Sequence, residues 1–298
     1  MPTPAVPTLS PLVAGAWRLA DWDWRPAQRL AWIEGLVERG LTTFDHADIY
    51  GGYRVESLFG DALALAPGLR ERLQIVTKCG IVLPGAGRPA HVVPQTHCYD
   101  TSAAHLTASV EHSLRALRTD RIDLLLIHRP DVLMDADEVA SCFESLRRDG
   151  KVLHFGASNF TPAQFELLHS RIALATHQVE CSPLQRAALH DGSFDQAQRL
   201  RLRPMVWSPL AGGRLFHEDS PAAHRVRWVM GEIGARLGGV SATTLAIAWL
   251  LRLPCRPHPV IGSRRLEAAD EARAALDLRL SADDWYRIWT AAAGHEVP

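Results

Sequence analysis

Ile122-Asp123-Leu124-Leu125-Leu126-Ile127, then Ala136 to Arg148, then Val152 to Ala157 are the three consecutive stretches whose reading decides the fold. The first is an apolar run of strand length interrupted only by Asp123, which reads as a strand buried on both faces. In the second, apolar residues recur at i, i+3 and i+4, the period of a helix with one buried stripe. The third is a short apolar run again. Between helix and strand, Asp149-Gly150 supplies a left-handed stop. After the third stretch, Thr161-Pro162 places a capping hydroxyl ahead of a proline at the first helical turn, so Pro162 to His169 reads as the next helix.

The same alternation extends in both directions. Thr42 to Phe44, Leu73 to Thr77, Ala175 to Val179, Arg203 to Trp207, Pro259 to Ile261 and Leu276 to Leu280 read as further short buried strands, bringing the expected total to about eight. Ala103 to Leu117 is a further helix. Two helical segments, Ala223 to Leu237 and Ala242 to Leu253, stand between the sixth and seventh strands, and Ser281 to Ala293 closes the chain. No repeat or linker divides it, so residues 1–298 are expected to form a single domain. An α/β chain of alternating strand and helix in this number, without a G-x-G-x-x-G turn after an early strand, is expected to be a (β/α)₈ TIM barrel.

Composition narrows the function. The chain has 298 residues, 47% hydrophobic and 22% charged, with 32 basic against 33 acidic side chains and a formal net charge of −1. That balance gives no global field to recruit nucleic acid or an anionic membrane. No segment reaches the roughly 18 apolar residues of a membrane span, and the N-terminus lacks the basic and apolar regions of a signal peptide, so the expected compartment is the cytoplasm. The five cysteines, Cys79, Cys98, Cys142, Cys181 and Cys255, are scattered and read as reduced thiols. No long apolar stripe is left over, and a monomer is the default, with a homo-oligomer left open.

In a barrel, polar residues at the C-terminal ends of strands build the active site. Those ends carry Asp45, Lys78, His128, Ser158-Asn159, Gln178 and Glu180, and Trp207-Ser208, with Tyr50 in the glycine-rich turn after Asp45. Ionisable groups at the ends of several buried strands are costly unless they pair with one another, and such pairing is how active sites perturb proton affinities. His46 and Asp48 beside Asp45 do not make a metal site, because neighbouring strand residues point to opposite faces; no metal is expected.

Phe44-Asp45-His46-Ala47-Asp48-Ile49-Tyr50-Gly51 resembles the Asp-x-x-x-x-Tyr signature of the aldo-keto reductases. Val76-Thr77-Lys78, Leu125-Leu126-Ile127-His128, Gly156-Ala157-Ser158-Asn159-Phe160, Gln178-Val179-Glu180, Trp207-Ser208-Pro209-Leu210 and Ile261-Gly262-Ser263 match the family's later motifs in order. The resemblance implies a barrel that binds NADPH or NADP⁺ and reduces a small-molecule aldehyde or ketone by direct hydride transfer. It implies that Tyr50 is the proton donor. Lys78 lowers its pKa, Asp45 holds the lysine, and His128 hydrogen-bonds the substrate oxygen.

By the same resemblance, Ser158, Asn159 and Gln178 hold the nicotinamide carboxamide and Trp207 stacks on the ring. The turn Ser208, Leu210, Gly212, Gly213 and Arg214 suits a pyrophosphate. Ile261, Gly262, Ser263, Arg264 and Arg265 suit the 2′-phosphate, and Glu271 lies near the adenine. Two departures from the family pattern stand in that last helix: Ala268 replaces an arginine and Ala272 an asparagine. The substrate wall is expected from Trp17, Trp22 and Trp24 and from Ile81 to Thr101, with His91, His97 and Tyr99. Two other readings use the same residues: a Schiff-base aldolase with Lys78 as nucleophile, and a cofactor-binding regulatory barrel with negligible turnover.

Overall fold

The computed structural model describes residues 7–85 and 95–296. Eight parallel strands close into a barrel in the order β1-β2-β3-β6-β7-β8-β9-β10, with helices between them, as the alternating pattern predicts. By compactness the chain divides into two units, residues 1–178 and 179–298.

The first unit runs β1 (Val13–Gly15), α1 (Pro26–Glu38), β2 (Thr43–Asp45), α2 (Val55–Leu63), β3 (Gln74–Cys79), a small antiparallel pair β4 (Ile81–Val82) and β5 (Cys98–Tyr99), α3 (Ala103–Leu117), β6 (Ile122–Ile127), α4 (Ala136–Arg148), β7 (Val152–Ser158) and α5 (Pro162–His169), and ends within β8 (His177–Glu180). The helix starts are written in capping chemistry. Thr161 Oγ1 accepts from the Gln164 N–H, and the Gln164 side chain accepts from the Thr161 N–H, a reciprocal pair that satisfies donors on both sides of the first turn. Ser102 and Asp135 cap α3 and α4 by accepting from first-turn backbone N–H groups, without the reciprocal bond.

The lone polar residue of β6 has its own partners. Asp123 accepts from the Ile75 N–H at 2.8 Å and from Arg70 Nη2 at 2.7 Å, so the carboxylate sits at the strand edge without an unmet demand. Gly156 on β7 is required by space: a Cβ there would lie 2.6 Å from the Thr176 carbonyl oxygen and 2.7 Å from Leu126 Cδ2. Behind β2, Phe44 packs edge to face on Trp32 at 5.9 Å and tilted on Phe59 at 5.2 Å, which buries the barrel wall against α1 and α2. Each such ring contributes roughly 1.5–3 kcal/mol by leaving water.

The second unit continues with α6 (Ser193–Leu200), β9 (Met205–Trp207), α7 (Arg214–His217), α8 (Pro221–Arg236), α9 (Ala242–Leu251), β10 (His258–Ile261), α10 (Leu266–Ala274) and α11 (Ala282–Ala293). Serines 220, 241 and 281 cap α8, α9 and α11. Trp249 and Trp285 stack at 4.9 Å, each indole donating to the other's backbone carbonyl.

The strand expected over Leu276 to Leu280 is not a strand. Its alternation puts Leu276 and Arg279 in water and only Leu280 inside, and the Leu280 carbonyl accepts from Arg252 Nε instead of a ladder neighbour. The eighth strand is β1, where Leu12 to Ala16 is buried throughout and Val13 to Gly15 pair in register with Thr43 to Asp45. All five cysteines are free thiols. Among the described residues no helix is long and apolar enough to cross a membrane.

Candidate active site

Two strand ends of the first unit, those of β2 and β3, meet at one ammonium. Lys78 Nζ, at the end of β3, donates to both carboxylate oxygens of Asp45 at 2.8 Å, to the His46 carbonyl at 2.7 Å and to Tyr50 Oη at 3.1 Å. The side chain is 1% exposed. Parallel register sets this meeting: Asp45 pairs with Val76 across β2 and β3, so Asp45 and Lys78 emerge at the same barrel end. The Tyr50 ring reaches back from the turn after β2, and the His128 ring at the end of β6 stands 5.9 Å from it, nearly perpendicular.

Burial and charge fix the protonation of each group. Burial alone would lower the Lys78 pKa, but the Asp45 carboxylate and then Tyr50 raise it above its ordinary value, so the amine is an ammonium. For Tyr50, burial dominates and pushes the phenol up. Lys78 pulls it down, Asp45 pushes up again, and Arg129 pulls down, with the net direction upward. Lys78 lowers the phenol's pKa, the direction expected of it, and the desolvation of a mostly enclosed ring outweighs that effect. His128 is held well below its ordinary pKa by burial, Lys78 and Arg129, and is a neutral imidazole with one N–H to give.

The residues expected to hold the nicotinamide lie at the adjoining strand ends of this unit. Ser158 and Gln178 face each other in register on β7 and β8, and Asn159, held at φ +58°, donates from Nδ2 to Ser158 Oγ at 2.7 Å. Gln178 Nε2 donates to Asp45 Oδ1 at 2.9 Å, which ties the amide to the carboxylate that anchors Lys78. Three contributors escape motif reading: the His46 carbonyl, because any residue supplies one; Arg129, whose charge acts on both Tyr50 and His128; and Glu56, a buried carboxyl on α2 that accepts from Thr77 Oγ1 at 2.6 Å behind Lys78.

Trp17, just beyond β1, is 59% exposed with the Arg18 guanidinium 5.5 Å over its ring, and Tyr99 on β5 is 42% exposed. Trp22 and Trp24 instead pack on each other at 4.9 Å, and Trp22 on Trp32 at 5.2 Å, a packing role. His97 stands 6.0 Å from Tyr99, and His91 lies outside the described residues.

In the second unit, Trp207 ends β9 half-buried. The turn after it is left-handed at Ser208, Ala211, Gly212 and Gly213, with φ between 50° and 98°. Leu210 accepts from the Gly213 N–H. Arg214 is spoken for in part: its Nε donates to the Ala211 carbonyl and its Nη1 pairs with Glu218. Beyond Ile261, the end of β10, Gly262, Arg264 and Arg265 are exposed, and Ser263 Oγ accepts from the Arg265 N–H. Arg265 occupies the cap of α10 without a side-chain capping bond, leaving that helix's first N–H groups open. Glu271 accepts from Ser241 Oγ at 2.9 Å, and Ala268 and Ala272 are buried.

A sequence model of the Aldo/keto reductase family matches residues 11–292. The chain belongs to the aldo-keto reductase family. It is 49% identical to the oxidoreductase YdhF of Escherichia coli (strain K12), over 99% of this chain and 97% of that one. It is 46% identical to a 6-dehydroglucose reductase of Agrobacterium fabrum, over 97% and 96%. The barrel superposes on a glycerol dehydrogenase from Gluconobacter oxydans with a TM-score of 0.83 at 23% identity, covering 96% of this chain and 92% of the other, a likeness of fold alone. The chain is therefore an oxidoreductase of a family that acts on carbonyl compounds and generally uses nicotinamide cofactors.

Proposed function

We propose that this aldo-keto reductase is an NADPH-dependent carbonyl reductase in which Tyr50 protonates the nascent alkoxide. The observation that carries this reading is Lys78 Nζ, fixed by both oxygens of Asp45 and 3.1 Å from Tyr50 Oη. NADPH, when bound, supplies the hydride. As negative charge grows on the substrate oxygen, the Tyr50 hydroxyl gives up its proton, and the Lys78 ammonium stabilises the phenolate left behind. A phenol with a raised pKa is fully protonated at neutral pH, which is the state a donor must start from. The neutral His128 directs an N–H toward the same oxygen. Because Lys78 is an ammonium hydrogen-bonded to three residues, Asp45, His46 and Tyr50, it is a poor Schiff-base nucleophile, and the aldolase reading loses its central group.

The residues present suit NADPH. Arg264 and Arg265 make no ion pair among the described residues and flank the open N–H groups of α10, a setting for a 2′-phosphate. Gly212 and Gly213 leave room above a left-handed turn, where backbone can approach a pyrophosphate. The name of the Agrobacterium relative makes a sugar carrying an aldehyde at its terminal carbon the first carbonyl to offer.

The decisive test is Tyr50→Phe assayed with NADPH and such an aldehyde, beside nitrobenzaldehyde. Loss of reduction by roughly 10² to 10⁴-fold, with NADPH affinity by fluorescence titration within about twofold of wild type, is the expected result. Unchanged turnover removes Tyr50 from the chemistry; absence of NADPH binding removes the cofactor assignment.

A further inference from the structure

The second unit has another charged concavity, at the opposite end of β10 from Gly262 to Arg265. A groove of about 460 Å³ opens between the C-terminal ends of α9 and α10, within the roughly 300–1,000 Å³ range of small-molecule sites. Arg252, Arg256 and Arg279 line it with a single carboxylate, Asp277. Leu253, Leu276 and Leu278 give it an apolar floor.

Some arginines of this near-neutral chain are matched to acids, among them Arg70 to Asp123, Arg121 to Glu71, Arg236 to Asp284 and Arg287 to Glu232. None of the three groove arginines makes an ion pair among the described residues. A fourth guanidinium adjoins them, since Arg203 Nε donates to the Arg256 carbonyl at 2.8 Å. Part of this charge answers the negative ends of α9 and α10, each worth about half a unit. Asp277 answers another part, and positive charge remains in excess.

Arg256 is also held in the left-handed region at φ +45°, with its N–H closing a turn onto the Leu253 carbonyl at 2.9 Å. A non-glycine residue costs about 1 kcal/mol or more there, and such strain persists where surroundings impose it, often at ligand sites.

We propose that this groove binds a small phosphorylated ligand, the phosphate held by Arg252, Arg256 and Arg279 and the carbon portion lying on Leu253, Leu276 and Leu278. Guanidiniums suit this because their forked donors match phosphate oxygens in pairs. The site is separate from the residues proposed for the cofactor.

Pyrophosphate is the probe, titrated calorimetrically at about 0.15 M salt so that diffuse attraction is screened. The comparison uses R214A/R264A/R265A, which lacks the guanidiniums of both stretches proposed for the cofactor phosphates, against the same protein carrying R256A/R279A as well. All five arginines are exposed, so both variants should fold. One saturable site in the first variant, weakened about tenfold or more in the second, is the expected result, since two charge-assisted contacts to the phosphate are removed. No saturable heat in R214A/R264A/R265A, or equal affinity in the two variants, overturns the proposal.

Discussion

The strand ends of the first unit and the loops of the second handle charge in opposite ways. At Asp45, Lys78 and His128, charged and polar groups stand at strand ends, at most 5% exposed, with Asp45 and Lys78 fixed by bonds to each other. At Gly212 to Arg214 and Gly262 to Arg265, the groups lie on left-handed or irregular backbone, and the arginines are exposed. Proton transfer needs a donor placed to a fraction of an ångström in a site of low dielectric, which only rigid and buried elements supply. Phosphate recognition tolerates mobile cations and rewards open backbone N–H groups. A variant in the first region should therefore cost both stability and turnover, and one in the second only affinity.

The largest expected effect is at Lys78. Lys78→Met leaves the buried Asp45 carboxylate without its cation, and breaking a buried pair by removing one partner costs about 3–5 kcal/mol. Urea unfolding should show that loss, and carbonyl reduction should fall below detection. The double variant Asp45→Asn/Lys78→Met removes the stranded charge as well, so it should recover much of the stability and none of the activity. Recovery of activity in the double variant would collapse the distinction between the two regions.

A smaller effect is expected at the loops. Replacing Arg264 and Arg265 together by Ala should raise the NADPH KM about tenfold or more while leaving kcat and the NADH KM near wild type, because each contact to the extra phosphate contributes about 1.5–3 kcal/mol. Equal changes for both cofactors would move the 2′-phosphate elsewhere.

The two regions also differed in how legible they were. Asp45, Lys78 and His128 could be placed because a strand's apolar run announces its own end, and parallel register brings those ends together. The helices Ala103–Leu117, Ala136–Arg148 and Pro162–His169 have the expected bounds because their caps are spelled in Ser, Asp and Thr. Val13–Gly15 was hidden by its composition, since Ala14 and Gly15 are residues depleted in strands. Leu276 to Leu280 imitated a strand because period-two alternation also arises in a turn and connection lying on a surface. The net direction of the Tyr50 pKa was illegible for a different reason: the sequence shows which charges are near, and only packing shows how much water is gone.

The smallest expected effect concerns groups behind the strand ends. Burial pushes the Glu56 carboxyl up to about 7, against hydrogen bonds from Thr77 and Ser113 and the charge of Lys78, which lower it. Its proton affinity is thus higher folded than unfolded, so from the ordinary carboxylate range up to about pH 7 the folded chain holds a proton that the unfolded chain has lost. Stability should fall across that window. His46 acts from the other side: burial and then Lys78 depress its pKa to about 3, so its contribution is present above the ordinary imidazole value and lost as pH falls toward 3. Glu56→Gln keeps the acceptor for Thr77 and removes the titration. Between about pH 5 and 7 the variant should lose the decline, gaining roughly 1–2 kcal/mol on wild type at the upper end while turnover at neutral pH changes little. An unaltered slope in urea unfolding would mean that Glu56 is ionised throughout, with Lys78 and Thr77 offsetting its burial in full.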